Sequence, residues 1–403
     1  VRLELARTLA DAVLMEGYSL YPYRASAPKN RYRWTFGALA PRAWSEHGGC
    51  EPWWLEAQLL VAGAPTKLAG QLRFFQIERR RPEDAHAREV PSLDDGKRLA
   101  VAWDEGIVQT IDFEVPTAGE CEHVFAVDPL IGIEPHGDGR VVRERRGLTG
   151  RLVLRCEPIT AEQPLARVAI RVENTTPWTE LAAPREHVIA SAFASTHLLV
   201  GADGGDLLSA IDPPAWAATA AATCTSTGTY PVLAGPPGSC DLVLAAPFVM
   251  YDHPLIAPES TGDLCDATEV DELLVLRTRT MTDDEKRWAR ATDPRVAEMI
   301  DRADGLPPEW MERLHGATRD VCGGEMVPRG VAIGTKVRLR ASIRRTDAQD
   351  LLFVGHVATV AAVKHDVDGT TFLAVTIDDD PAAELHDWYG RYHYYRTDEV
   401  EVL

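Results

Sequence analysis

The sequence is short of the patterns that usually announce chemistry. It contains no GxSxG elbow, no HExxH helix and no cysteine set in a protease-type signature, so the common nucleophilic and zinc-hydrolase frameworks are excluded. Its seven cysteines, Cys50, Cys121, Cys156, Cys224, Cys240, Cys265 and Cys322, are odd in number and never form a CxxC pair. That spacing argues against a zinc ribbon and against a secreted disulfide framework, and it suits reduced thiols. Positive charge is also scarce: 42 Lys and Arg face 61 Asp and Glu, a formal net charge of -19. Such a surface repels phosphate backbones and anionic bilayers, so neither nucleic acid nor membrane is expected as a partner. No window approaches the roughly 18 apolar residues that a membrane-spanning helix requires. The stretch from Arg2 to Tyr18 carries Glu4, Asp11 and Glu16, which interrupts any signal-peptide core. A cytoplasmic location is the expectation.

What is present is a foldable, strand-rich chain. Hydrophobic residues make up 45% and charged residues 26%, within the range of globular domains. At 403 residues the chain exceeds what one hydrophobic core organises, so two or three domains are expected. Leu5, Leu9, Val13 and Leu14 lie at helical spacing and predict an amphipathic helix ending at Gly17. Beyond it, period-two alternation dominates. Ile111, Phe113 and Val115 alternate with Thr110, Asp112 and Glu114, Leu152, Leu154 and Cys156 with Arg151 and Arg155, and Val168, Ile170 and Val172 with Arg167, Arg171 and Glu173. A weaker alternation runs through Leu72, Phe74 and Gln76. These are half-buried antiparallel strands.

Strands punctuated by Pro213-Pro214 and Gly235-Pro236-Pro237-Gly238 predict a sandwich-like region, here given the bounds 41–267, after an N-terminal segment 1–40. Within it the charged run Glu78 to Arg88 reads as a solvated loop, and Gly201 to Asp206 as a hairpin turn that lacks the Lys of a phosphate loop. Region 268–330 reads as a helical connector. Thr268 with Asp271 resembles a helix start, Thr282 with Glu285 makes a capping box, and Asp293-Pro294 supplies an N-cap and a first-turn proline. Gly305-Leu306-Pro307-Pro308 stops that helix, and a short helix through Trp310 and Leu314 follows. Region 331–403 returns to strands: Val337 and Leu339 alternate with charged neighbours, and Asp368-Gly369 predicts a hairpin between Val357–Val363 and Leu373–Ile377. Final strands lie around Tyr392–Tyr395 and Val400–Leu403. The fold class expected is mainly β (α+β), with a sandwich-like region, a helical connector and a C-terminal SH3-like barrel.

The most unusual composition lies between Gly17 and Gly37. Arg24, Lys29, Arg31 and Arg33 interleave there with Tyr18, Tyr21, Tyr23, Tyr32, Trp34 and Phe36, without one acid. Arg and aromatic side chains anchor protein interfaces because they bury rigid area and donate forked hydrogen bonds. Such a segment forms a partner surface, an anion site, or an aromatic corner of the core crossed by Arg stems. Tyr21, Tyr23, Arg24, Lys29, Asn30, Arg33 and Trp34 are the candidate partner-binding residues. A second candidate is His253 with Glu259, Asp263, Cys265, Asp266 and Glu269, whose residue types suit a metal or small ligand but whose spacing matches neither a zinc finger nor a calcium loop. Those acids otherwise serve a following helix start. His187 and His197 read as ordinary strand histidines, and Cys50 beside His47 as the thiol with the most reactive neighbours. Trp388, Tyr389, Tyr392, Tyr394 and Tyr395 would line a groove of the terminal barrel.

The runs Glu16 to Gly37, His253 to Ser260 and Thr280 to Lys286, with Asp293-Pro294-Arg295 and the terminal barrel, resemble a family of accessory proteins encoded beside actinobacterial-type, oxygen-tolerant NiFe-hydrogenases. The resemblance spans most of the chain. It implies a role in assembling, stabilising or maturing a hydrogenase or its electron-transfer partners, and it transfers no catalytic residue and no cofactor. The expectation is therefore a non-enzymatic accessory protein whose partner is a hydrogenase subunit or maturation factor. The alternative is a metal- or ligand-binding protein, or an enzyme, with its site around His253, Glu259 and Asp263.

Overall fold

The computed structural model describes residues 3–16, 33–161, 163–255, 275–307, 333–340, 353–365, 371–379, 392–396 and 399–403. Strand accounts for 48% and helix for 17%, so the mainly β expectation holds. The chain divides into two compact units, Val1–His315 and Gly316–Leu403.

The first unit opens with a 3-10 turn, Leu3–Ala6, that runs into α1 (Arg7–Glu16). After α2 (Arg42–Glu46) comes β1, a 30-residue strand from Trp54 to Glu83. A short ribbon, β2 (Ser92–Asp94) with β3 (Leu99–Val101), precedes β4 (Trp103–Val115), β5 (Gly119–Val127), β6 (Leu130–His136), β7 (Gly139–Arg145), β8 (Leu148–Ile159) and β9 (Leu165–Asn174). The turn-like α3 (Arg185–Val188) leads to β10 (Ala194–Leu207), α4 (Ala218–Ala221), β11 (Tyr230–Leu233) and β12 (Leu242–Ala246). Two helices, α5 (Asp283–Arg290) and α6 (Pro294–Gly305), complete the described part of this unit. Ten strands form one antiparallel sheet with β1 as its spine: β9 pairs with the first third, β10 and β4 flank the middle, and β7 takes the end.

A straight strand of this length would reach about 100 Å at ~3.3 Å per residue, far beyond the width of such a domain. β1 therefore bends. Its register against β10 slips between Gly63 and Lys67 and again between Arg73 and Phe75. At the first slip Gly63 has φ +83° and Gly204, on β10, has φ +76°, conformations that side chains with a Cβ rarely adopt. Gly201 to Asp206 is thus not a hairpin turn, as the sequence suggests, but part of β10, its glycines serving a bend inside the strand.

Alternation places the core as expected. Leu72, Phe74, Phe113, Leu152, Leu154, Val168, Ile170 and Val172 share one apolar cluster with Leu198, Val200 and Leu207. Each such fully buried side chain contributes roughly 1.5–3 kcal/mol. The opposite face of β1, β10 and β12 is covered by α1, whose Leu9 and Ala10 meet Leu199, Leu242 and Leu244, while Leu14 joins Phe75, Ile77 and Ala194.

Glu78 to Arg88 is the second correction. Glu78 to Glu83 belongs to β1, with Glu78 and Arg80 buried, rather than to a loop in solvent. Glu78 lies opposite Glu105 of β4, an arrangement that repels unless bridged. Arg143 of β7 bridges it, donating from Nη1 to Glu78 at 2.9 Å and to Glu105 at 3.1 Å, and Arg145 adds a contact to Glu78 at 3.1 Å. Charge run and strand coexist because the partners come from other strands. His187 also departs from expectation, lying in α3 rather than in a strand.

The capping box of α5 is formed: Thr282 Oγ1 accepts from Glu285 N, and the Glu285 carboxylate accepts from Thr282 N at 3.0 Å. Asp293 caps α6 with Pro294 in its first turn. Thr268, Asp271, Trp310 and Leu314 lie outside the described residues. No helix among the described residues is long and apolar enough to cross a membrane.

In the second unit β13 (Lys336–Leu339), β14 (Val357–His365), β15 (Thr371–Ile377), β16 (His393–Arg396) and β17 (Val400–Val402) form an antiparallel sheet ordered β16-β15-β14-β13-β17. Val337, Leu339, Val360, Leu373, Val375 and Tyr395 make its core. The β14–β15 pairing agrees with the expected hairpin, whose tip, Asp368-Gly369, lies outside the described residues. Tyr394 is exposed and Tyr395 buried, while Trp388 and Tyr389 are outside the described residues.

Candidate functional site

Of the partner-binding residues expected from sequence, Tyr21, Tyr23, Arg24, Lys29 and Asn30 lie outside the described residues. Arg33 and Trp34 are described, and they sit together. Trp34 is 2% exposed, with its ring edge-on to Phe75 at 5.8 Å, so it acts from the interior. Arg33 lies half-buried across two indoles, 3.8 Å from the Trp103 ring centre and 4.7 Å from that of Trp34, and its Nη1 donates to the carbonyl of Asp104 at 2.7 Å. Cation–π contact over Trp at such separations is worth roughly 0.5–2 kcal/mol, enough to fix the guanidinium's position.

These two residues form one wall of a cleft of about 440 Å³. The far end of β1 supplies Arg79, Arg80 and Arg81, the start of β4 supplies Trp103 and Asp104, and the α3 region supplies Arg185 and His187. Five arginines thus face three carboxylates, Glu89, Asp104 and Glu186, in a chain whose overall balance is the reverse. Strand geometry alone gathers them, because Trp103 and Asp104 pair in register with Arg80 and Arg79.

The arginines divide by how fully they are engaged. Arg80 is a structural member: Nε donates to Val101 O at 3.0 Å, Nη1 to Glu105 at 2.8 Å, and Nη2 to the carbonyls of Ala291 and Thr292 at 2.6 and 2.5 Å. That set ties the α5–α6 corner to the sheet. Arg185 is likewise held, by Glu51 at 2.6 Å and by the carbonyl of Trp34 at 2.7 Å. Arg79 is different. Burial pulls its guanidinium below the ordinary arginine range, Arg146 and Arg81 add repulsion, and Asp104 opposes the shift. Burial in turn pushes the Asp104 carboxyl up, against the pull of Arg79, Arg33 and Arg81. Both groups register the same desolvated corner, where an added anion interacts more strongly than in water.

No family model matches the chain, and no curated protein matches it.

The other candidate places are less well built. His253 is described, with its N–H donating to Leu233 O at 2.7 Å and a left-handed φ of +55°, whereas Glu259, Asp263, Cys265, Asp266 and Glu269 lie outside the described residues. Among the described residues no group of three or more His, Cys, Asp and Glu could hold a metal ion. A second depression of about 310 Å³ contains Ser209 and Cys224 beside apolar residues. Ser209 is no nucleophile there: its hydroxyl donates to Asp252 and accepts from Ile211 N at 3.1 Å and Asp212 N at 2.8 Å. Cys50 is exposed on a bend, and burial pushes the thiols of Cys156 and Cys240 up, which makes them less reactive.

Sequence reasoning located one side of the cleft and missed the other. Arg79, Arg81, Trp103, Asp104 and Arg185 are distant in sequence from Arg33 and Trp34. The available signal was the triple arginine at 79–81 directly after an apolar alternation, which marks a strand end and not a loop.

Proposed function

We propose that the protein is a non-enzymatic accessory protein that grips an acidic segment of another protein in the arginine cleft. Following the resemblance of the sequence, the partner is a subunit or maturation factor of a NiFe-hydrogenase, met in the cytoplasm. What carries this reading is the convergence of Arg33, Arg79 and Arg81 with the Trp103 indole on one open, partly desolvated cleft. Arginine over an aromatic ring offers a carboxylate both a fork of donors and a rigid apolar floor. The net charge of -19 works with it. Beyond about 8 Å, the Debye length at physiological salt, the overall field is screened, so attraction is confined to the cleft while the rest of the surface turns away non-specific polyanions.

The finer architecture belongs to the same proposal. In the second unit, a four-strand meander, β13 to β16, followed by a fifth strand, β17, that returns beside β13 is the order of an SH3-like module, and a bulge between Val360 and Ala362 supplies curvature for closure. In the first unit, one apolar cluster shared by strands from both arms of the bent spine supports a sandwich-like body.

Affinity capture from the native host is the test. Arg79→Glu is expected to lower recovery of the hydrogenase subunit or maturation factor at least roughly tenfold, the loss typical of an interface anchor. Arg42→Glu, the same charge change on an exposed helix, should leave recovery intact. Equal recovery by both variants, each with native circular dichroism, would reject the cleft as the grip.

A further inference from the structure

Beneath α1 lies a cluster of buried polar side chains that the cleft does not use. Arg73 sits in the middle of β1, flanked on one side by Thr110 of β4 and on the other by His197 of β10. Its side chain points away from the main core, into the layer between the sheet and α1. Arg73 and Ser195 are each 2% exposed and His197 is fully buried. One partner is present: Arg73 Nη2 donates to Asp11 Oδ1 on α1. The Asp11 side chain is half-exposed, so the cluster reaches solvent at that residue.

The remaining polar atoms are open. Arg73 Nε and Nη1, Ser195 Oγ and His197 Nε2 have no hydrogen-bond partner among the described residues. Leaving a buried polar atom unsatisfied costs about 1–3 kcal/mol, so several in one place mark a site and not an accident of packing. Ser195 holds a left-handed φ of +52°, and its carbonyl lies 2.9 Å from His197 Nδ1. A carbonyl only accepts, so Nδ1 carries the proton and Nε2 presents a bare lone pair. Burial, followed by the nearby Arg73 charge, pulls the imidazole down to about 4, which keeps it neutral near pH 7.

Arg73 therefore offers the N–H groups of Nε and Nη1 and its register partner His197 an imidazole acceptor, with the Ser195 hydroxyl two residues away on the same strand. A simple carboxylate can accept from one of these N–H groups but leaves Nε2 without a proton to accept. We propose that Arg73, Ser195 and His197 form a binding site for a small oxyanion bearing its own O–H, with Asp11 at its mouth competing for the guanidinium. The anion's oxygens accept from Arg73, and its O–H donates to His197 Nε2.

Titration calorimetry of the full chain at constant ionic strength tests this with four sodium salts: hydrogencarbonate and glycolate, which carry the O–H, and formate and acetate, which do not. Saturable binding of one hydrogencarbonate or glycolate per chain, roughly tenfold or more tighter than formate or acetate, is expected. Binding of hydrogencarbonate would identify inorganic carbon as the source, and binding of glycolate alone a 2-hydroxy carboxylate. Asp11→Asn, a change at a half-exposed position, should tighten binding roughly tenfold by removing the competing charge. His197→Phe should abolish the preference for O–H-bearing anions. Since Arg73→Gln endangers folding, the two milder variants carry the test. Absence of saturable heat from all four salts, equal affinity for all four, or affinity unchanged in Asp11→Asn would overturn the proposal.

Discussion

Arg73 and Arg80 stand seven residues apart on one strand and meet opposite fates. Arg80 uses each of its guanidinium nitrogens within the protein, through one carboxylate and three carbonyls contributed by β3, β4 and the α5–α6 corner. Among the described residues, Arg73, buried more deeply, has a single hydrogen-bonded partner, Asp11. Burying a cation is expensive whatever follows, and only the pairing decides whether that expense returns as stability. The saturated arginine holds elements together. The open one has capacity left for a ligand.

The contrast is broken most directly at Arg80. Arg80→Ala removes one of the two positive partners of Glu105, Arg143 being the other, and the donor shared by two carbonyls of the helix corner. A loss of roughly 3–5 kcal/mol is expected, read as a lower urea midpoint, against the milder effect of cavity formation alone. A loss below about 1 kcal/mol would show that saturation carries little weight here.

The next effect is pH dependence beneath α1. His197 is held neutral in the folded chain, with its proton lost until about pH 4, whereas in the unfolded chain it titrates near 6.5. Between those values the unfolded state binds the extra proton, so stability is fully present above pH 6.5 and declines as pH falls toward 4. The decline attributable to this residue is on the order of 3 kcal/mol. His197→Phe should flatten that part of the profile, measured by denaturant unfolding across the interval. An unchanged slope would mean that the imidazole is charged in the native state.

Smaller still is the loss at Thr282, where Ala would remove one hydroxyl and half of a reciprocal cap for about 1 kcal/mol, detectable in the same urea titration. The Arg42–Glu46 pair sets the floor. Its side chains are half-exposed at 2.8 Å separation, and Arg42→Ala should change stability by less than about 0.5 kcal/mol. An arginine's worth thus spans nearly the whole range of single-site effects according to its surroundings.

Local features were legible in the sequence, and non-local ones were not. The faces of β4, β8 and β9 follow from alternation, the cap of α5 from the Thr282–Glu285 box and that of α6 from Asp293-Pro294, because all depend on near neighbours. Glu78 to Arg81 misled because the residues that neutralise them, Glu105, Arg143 and Arg145, come from other strands. Gly204 misled because a bend and a turn call for the same residue. Of the cleft, Arg33 and Trp34 were named and the opposing arginines were not. Beneath α1, the weak alternation of Leu72 and Phe74 leaves Arg73 on the alternate face of a strand, and His197 reads from sequence only as an ordinary strand histidine, so that they are register partners emerges only from the pairing of β1 with β10.

The long spine has a consequence for how the chain comes into being. β1 leaves the ribosome early, yet the strands that clasp its flanks, β9 and β10, are made roughly a hundred residues later, an interval of about 5–20 s at ordinary translation speeds. Throughout that wait its run of Leu72, Phe74, Phe75 and Ile77 has only β4 and β7 for shelter. A nascent chain with its most apolar ribbon half-clothed for so long is a natural client for a chaperone, and slow decoding between β7 and β10 would lengthen its exposure.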